Sequence, residues 1–210
     1  MIAWSIEAAK NSHCFDAIIV STDDEEIAEI ARKWGADVPF LRPADLSGDL
    51  TPTIPVLHHA VQAYEKISAR SVSQGCCIYA TAPFVTASAL RKGQQLLESD
   101  HDLDFAFSVT SFPFPIQRAI RINSTQRVEM LEPEHELTRS QDLPDTYHDA
   151  GQFYWFRPQA LSTRKGFFRA NSAPVILPRK NVQDIDTLED WQCAELAHKL
   201  LEQSNTPESP

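Results

Sequence analysis

Two carboxylates flank one apolar residue in Gln183-Asp184-Ile185-Asp186-Thr187. In an extended segment residues i and i+2 point to the same side, so Asp184 and Asp186 converge on one spot. Like charges that close repel unless a proton or a cation lies between them. A hard divalent cation such as Mg²⁺ fits, because it takes carboxylate oxygens together with substrate phosphates. Other segments carry groups suited to an anionic substrate. Arg42-Pro43-Ala44-Asp45-Leu46, followed by Thr51-Pro52-Thr53, sets a guanidinium and two hydroxyls on one loop. Tyr79-Ala80-Thr81 ends an apolar run in hydroxyls, and Thr138 to Pro144 offers Arg139 and Gln141. Tyr147 to Gln152 places His148 and Gln152 just ahead of the aromatic run Phe153-Tyr154-Trp155-Phe156. A guanidinium can grip a carboxylate by two parallel hydrogen bonds, which suits Arg139 to an acidic substrate.

Each of these residues also has a plainer reading. Asp184 and Asp186 can be exposed acids ahead of a helix that Thr187 caps, with Asp190 at capping-box spacing. Arg42 can pair with Asp45, and Thr51 or Thr53 can start the next helix. Tyr79 can be core with a solvated hydroxyl, His148 a satisfied structural histidine, and Arg139 a surface cation in a mobile loop. Asp23 and Asp24 suit a helix start. The aromatic run suits core or a dimer interface better than base stacking. The residues single out no general base.

The elements that must position these groups alternate between two periods. Helix is expected over Met1 to Lys10, from the acids at 23–26 to about Trp34 with Gly35 as the stop, over about Pro55 to Ala69, over Ala87 to Ser99, and over 187–203. Strands are expected at Asp16 to Ser21, Cys76 to Tyr79, Asp104 to Val109, Gly151 to Phe156 and 174–177, with a proline-weakened edge strand at Val38 to Leu41. Arg118 to Met130 reads as two arms around an Asn123-Ser124 turn, and 132–146 as a long functional loop. The tail from Ser204 reads as disordered. Alternating strands and helices predict one α/β domain over 1–203, with a mostly parallel sheet whose ligands sit beyond the carboxyl ends of the strands.

At 210 residues the chain is long enough for one sizeable core. A formal charge of −10 argues against a broad nucleic-acid-binding face. No apolar run is long enough to span a membrane, and no signal peptide opens the chain, so a cytoplasmic location is expected. Cys14, Cys76, Cys77 and Cys193 make no C-x-x-C pair, and His58-His59 lacks the H-E-x-x-H pattern.

Taken together, Phe15 to Glu26, the Arg42 loop, Cys77 to Phe84, Ser108 to Arg118, Arg139 to Trp155 and Val182 to Trp191 resemble, in order, the CMP-sugar (acylneuraminate-type) cytidylyltransferases. The likeness is nearest to their pseudaminic acid branch. Tyr79 stands where sialic-acid relatives often carry Gln, and Ala150 where they carry Asn. The resemblance implies a GT-A-like (Rossmann-like) fold with a small dimerisation insertion at about 112–150, and a homodimer. It implies transfer of CMP from CTP to the anomeric hydroxyl of an acidic nine-carbon 2-keto sugar, with loss of pyrophosphate, serving surface-glycan or flagellin glycosylation. By the same resemblance Asp184 and Asp186 hold Mg²⁺ and are catalytic. Arg42, Thr51 and Thr53 lie near the cytidine. Tyr79, Arg139, Gln141, His148 and Gln152 bind substrate, Tyr79, Arg139 and His148 at the sugar.

Other readings are a sialic, legionaminic or Kdo-type synthetase, a GT-A glycosyltransferase, and an inactive remnant serving as an oligomerisation module. The front of the chain departs from the family. The family opens with a strand and a loop, roughly A-R-x-x-S-K-x-x-x-K-N, that holds the triphosphate. Met1-Ile2-Ala3-Trp4 instead resembles the helix after that loop, and neither S-K-x-x-x-K-N nor G-x-x-x-x-G-K occurs. A missing central strand leaves its neighbours with unpaired backbone groups. The expectation is that the chain as written folds poorly and turns over little.

Overall fold

The structure, a computed structural model, describes residues 1–163 and 166–205, and the side chains of these up to 201. Four strands form the main sheet, in the order β1-β5-β2-β6: β1 (Gly75–Ile78), β2 (Phe105–Ser111), β5 (Tyr147–Phe156) and β6 (Ser172–Leu177). β2 and β6 are parallel, and β5 runs antiparallel to both β1 and β2. Three of the four strands therefore share one direction, with β5 inserted against them. β3 (Ile120–Ile122) and β4 (Val128–Met130) form a separate antiparallel hairpin.

Strand alternation sorts the side chains into two layers. Ala106, Phe153, Trp155, Val175 and Leu177 face α4 (Ala87–Ser99) and α1 (Ile2–Ser12), meeting Leu90, Leu97 and Ala8. Phe105, Phe107, Val109, Tyr154 and Phe156 face the other way, toward Ile54, Leu57 and Val61 of α3 (Thr53–Ser68) and Ala160 and Leu161 of the short α5 (Pro158–Leu161). A third cluster joins Ile6 of α1 to Ala31 of α2 (Glu25–Lys33) and to Ala36. Close approach in the first layer depends on Gly93, because a Cβ there would sit 2.4 Å from Trp155 Cδ1. The Trp155 indole N–H is satisfied by the Leu90 carbonyl at 3.0 Å.

The helix starts follow their local signals. The Asp24 carboxylate accepts the Ile27 N–H at 3.0 Å, and Glu25 and Glu26 occupy the first turn of α2. Gly35, at φ +89°, lies just beyond its end. α3 begins at Thr53, and α6 (Leu188–Asn205) runs past the expected start of the tail; residues 206–210 lie outside the described residues. No described helix is long and apolar enough to cross a membrane.

The expected strands at 16–21 and 38–41 reduce to one parallel bridge between Ile19 and Asp37. The Val20 N–H meets the Asp37 carbonyl at 2.9 Å, and the Asp37 N–H meets the Ile18 carbonyl at 2.8 Å. A cavity of about 740 Å³ separates Ala17 to Ser21 from β1 and is lined as well by α1 and α3. The Tyr79 N–H bonds the Gln152 carbonyl at 2.9 Å, so antiparallel alternation turns the peptide groups of Cys76 and Ile78 away from β5 and toward this cleft.

Candidate active site

The cleft gathers Arg42, Thr51, Thr53 and Tyr79 on its polar side. Arg42 is held by a loop. Its backbone N–H bonds the Thr22 carbonyl at 2.8 Å, its Nε reaches Ser47 Oγ at 3.2 Å, and its Nη2 meets Asp23 at 3.2 Å. Asp23, rather than Asp45, is thus the partner of Arg42, and the guanidinium holds the Asp23 carboxyl below its ordinary value. Thr51 is positioned by a turn in which its N–H bonds the Gly48 carbonyl at 2.9 Å. Thr53 opens α3, and its hydroxyl lies 2.9 Å from the Tyr79 phenol oxygen. Tyr79 follows the end of β1, where its carbonyl accepts the Ser5 hydroxyl of α1 at 2.8 Å. Burial raises the Tyr79 phenol above its ordinary value.

A second group of sequence-selected residues sits on β5. His148 is half-buried against Phe112, with ring centroids 4.8 Å apart, and its Nδ1 lies 2.8 Å from the Asp149 carbonyl. Gln152 is buried, and its amide N–H bonds the Asn181 carbonyl at 2.5 Å. Arg139 and Gln141 are elsewhere, exposed on the long loop, where Arg139 makes two hydrogen bonds to Asp142 at 2.7 and 3.2 Å. Neither lines the cleft.

Asp184 and Asp186 follow Asn181 in an irregular segment rather than a strand, and they do not line the cleft either. Both are exposed while Ile185 between them is half-buried, so the i, i+2 relation survives without a ladder. The capping box is complete. The Asp190 carboxylate accepts the Thr187 N–H at 2.9 Å and the Thr187 hydroxyl at 2.7 Å, while the Asp190 N–H returns to Thr187 Oγ1 at 3.2 Å. Near this segment in sequence or by hydrogen bond, Asn181 Oδ1 and Gln152 Oε1 are buried acceptors with no hydrogen-bond partner among the described residues. Two exposed carboxylates two residues apart have the chemistry to take a hydrated hard cation. Among the described residues, Glu132, Glu134 and His135 form the group of three or more potential ligands close enough for one ion, and this group contains neither aspartate.

Sequence reasoning noted the segment that holds Asp149 and the aromatic run that holds Tyr154 but did not join the two. Tyr154 donates its phenol hydrogen to Asp149 Oδ2 at 2.6 Å, and Asp149 Oδ1 accepts the Gly151 N–H at 2.9 Å. The available signal was Asp149-Ala150-Gly151, a turn motif inside a strand pattern, which marks a bulge.

Comparison with known proteins places this geometry in a family. The cytidylyltransferase family model matches residues 1–200. A pseudaminic acid cytidylyltransferase from Campylobacter jejuni is 38% identical over 204 residues, covering 97% of this chain and 87% of that protein. A CMP-N,N'-diacetyllegionaminic acid synthase, also from Campylobacter jejuni, is 28% identical and covers 95% and 84%. Among solved structures, a CMP:2-keto-3-deoxy-manno-octonic acid synthetase complexed with CTP superposes with a TM-score of 0.64 at 14% identity, over 97% of this chain and 88% of that one.

Proposed function

Because the chain belongs to the cytidylyltransferase family, we propose that it transfers CMP from CTP to the anomeric hydroxyl of pseudaminic acid, releasing pyrophosphate. The observation that carries this reading is the match to the pseudaminic acid enzyme, stronger than the match to the legionaminic one. The anomeric oxygen attacks the α-phosphorus, the bond from that phosphorus to the β-phosphate oxygen breaks, and the hydroxyl proton leaves to solvent. Such a displacement depends on positioning and charge stabilisation.

In this reading Arg42, Thr51, Thr53 and Tyr79 receive the nucleotide and sugar in the cleft. Asp184 and Asp186 hold Mg²⁺, aided by the acceptors of Asn181 and Gln152. A bound Mg²⁺ supplies neutralisation of phosphate charge. Arg139, Gln141 and His148 complete the sugar end, and Arg139 exchanges Asp142 for the sugar carboxylate.

A second copy of the chain is proposed to cover the β3–β4 hairpin. Ile120, Ile122 and Val128 are each more than half exposed there, and a two-stranded hairpin is marginal alone. Sedimentation of Ile122→Glu beside the parent chain tests this, with loss of dimer expected and an unchanged dimer counting against it.

The reaction is tested by pyrophosphate release from CTP with a panel of acidic sugars. Pseudaminic acid is the expected substrate, and turnover of legionaminic acid alone overturns the assignment. Replacing Asp184 and Asp186 together by Asn is expected to lower kcat by about 10²–10³-fold, the scale of losing transition-state charge stabilisation. Full turnover in that variant removes the metal site.

A further inference from the structure

Two adjacent acids ahead of α2 have different partners. Asp24 caps the helix, its carboxylate accepting the Ile27 N–H at 3.0 Å. Asp23 instead accepts from Arg42 Nη2 at 3.2 Å. Arg42 is tied down twice more. Its backbone N–H bonds the Thr22 carbonyl at 2.8 Å, and its Nε bonds Ser47 Oγ at 3.2 Å. Ser47 is returned to Arg42 by the turn at Ala44–Leu46, where the Leu46 N–H bonds the Pro43 carbonyl at 2.9 Å and the Ser47 N–H bonds the Ala44 carbonyl at 3.2 Å.

The direction of each bond follows from counting hydrogens. A guanidinium only donates, a carboxylate only accepts, and a hydroxyl has one hydrogen to give. Ser47 gives its hydrogen to the Pro43 carbonyl at 3.0 Å, so toward Arg42 it accepts. Two of the three guanidinium nitrogens are therefore held by the loop. The third, Nη1, has no hydrogen-bond partner among the described residues. The Arg42 side chain is only 25% exposed, and it lines the cleft. We propose that Asp23 and Ser47 are positioning residues for nucleotide binding, which clamp Arg42 by Nε and Nη2 so that Nη1 is aimed in advance at an acceptor atom of the nucleotide. The proposal rests on the cytidylyl-transfer reading of the same cleft.

The clamp acts before the ligand arrives. A long side chain that is ordered only on binding sets its lost rotamer freedom against affinity, and a guanidinium already held loses less. Nη1 donates only, so it takes a phosphate oxygen or an acceptor of the pyrimidine ring and refuses a group that brings its own hydrogen. Asp23 has a second effect of opposite sign, because its charge offsets that of Arg42 and repels an anionic nucleotide. Asparagine and alanine at position 23 separate the two effects. Both remove the charge, but only asparagine keeps an oxygen for Nη2, so the difference between them reads position alone.

Calorimetric titration with CTP tests the role. Ser47→Ala is expected to raise Kd by about two- to tenfold, the scale of ordering one long side chain on binding. Asp23→Ala is expected to bind more weakly than Asp23→Asn by a similar factor. In an Arg42→Ala background Ser47→Ala should cost nothing further, and an additive loss there overturns the proposal. Equal affinity in Asp23→Ala and Asp23→Asn, with a lowered denaturation midpoint as the only effect of Ser47→Ala, makes these contacts structural and also overturns it. Inorganic triphosphate locates the acceptor: a loss shared with triphosphate puts it on a phosphate, and a loss confined to CTP puts it on the nucleoside. Nitrogen-edited proton NMR of the ligand-free protein reads the clamp by itself. A slowly exchanging Arg42 Nε–H is expected in the parent and is lost in Ser47→Ala, and its absence from the parent overturns the proposal whatever the enzyme catalyses. A parent that shows this signal but binds neither CTP nor triphosphate refutes the cytidylyl-transfer reading instead.

Discussion

Arg139 and Asp142 meet with side chains 70% and 47% exposed, so their pair contributes little to stability, about 0–1 kcal/mol. Asp142→Ala is therefore expected to leave the denaturation midpoint almost unmoved. Its effect on substrate is the informative one. If Arg139 grips the sugar carboxylate, Asp142 competes for the same donors, and removing it keeps or lowers the KM for the acidic sugar. Arg139→Ala is expected to raise that KM by about tenfold or more, since hydrogen bonds between charged groups exceed neutral ones. An unchanged KM in Arg139→Ala leaves the residue as surface charge. Asp190 gives a residue-scale prediction in pH. Hydrogen bonds from Thr187 hold its carboxyl below the ordinary 3.8. A lowered folded value means that its stabilisation is present above pH 3.8 and is lost as the pH falls through the folded value. Thermal melts of the parent and Thr187→Ala should thus draw closer in acid, the remaining gap being the lost Asp190 N–H bond to Thr187 Oγ1, and a gap of constant size down to the lowest pH rejects the assignment.

At the scale of elements, the packing of α4 on β5 turns on one hydrogen atom. Gly93→Ala improves intrinsic helix propensity by about 1 kcal/mol. It also drives a methyl group to 2.4 Å from a buried indole, and overpacking of that kind costs about 1–3 kcal/mol. The steric loss wins, and urea denaturation is expected to show a net loss of up to about 2 kcal/mol. What the sequence made legible here was local. The Thr187–Asp190 capping box, the Asp24 cap, the Gly35 stop and the Asn123 turn each depend on residues a few positions apart. The turn is present as expected, with Asn123 Oδ1 accepting from the Thr125 and Arg127 N–H groups at 3.1 and 3.0 Å. What stayed hidden was set by partners far along the chain. Nothing within Tyr147 to Phe156 says that this strand enters between β1 and β2 in the opposite direction, or that Ser108 Oγ will accept the N–H groups of Gln152 and Phe153. Thr53 and Tyr79 were selected separately, but their hydroxyl contact across 26 positions could only be seen once β1 and α3 were placed.

At the scale of the molecule, the cleft runs between Ala17 to Ser21 and β1. Ile19 pairs only toward Asp37, and Cys76 and Ile78 only toward β5, so among the described residues no strand pairs with either across the cleft. The β1 wall carries two adjacent thiols. Burial pushes Cys77 up to about 12 and Cys76 well above its ordinary value, whereas Cys193 on α6 is exposed. Only the thiolate reacts, so at neutral pH an alkylating reagent meets almost no nucleophile at β1. Cys193 is expected to modify first, and the β1 pair only as often as that strand detaches and its thiols recover ordinary acidity. The chain thereby carries its own stopwatch for the opening of this sheet edge, readable by mass spectrometry without any added label site.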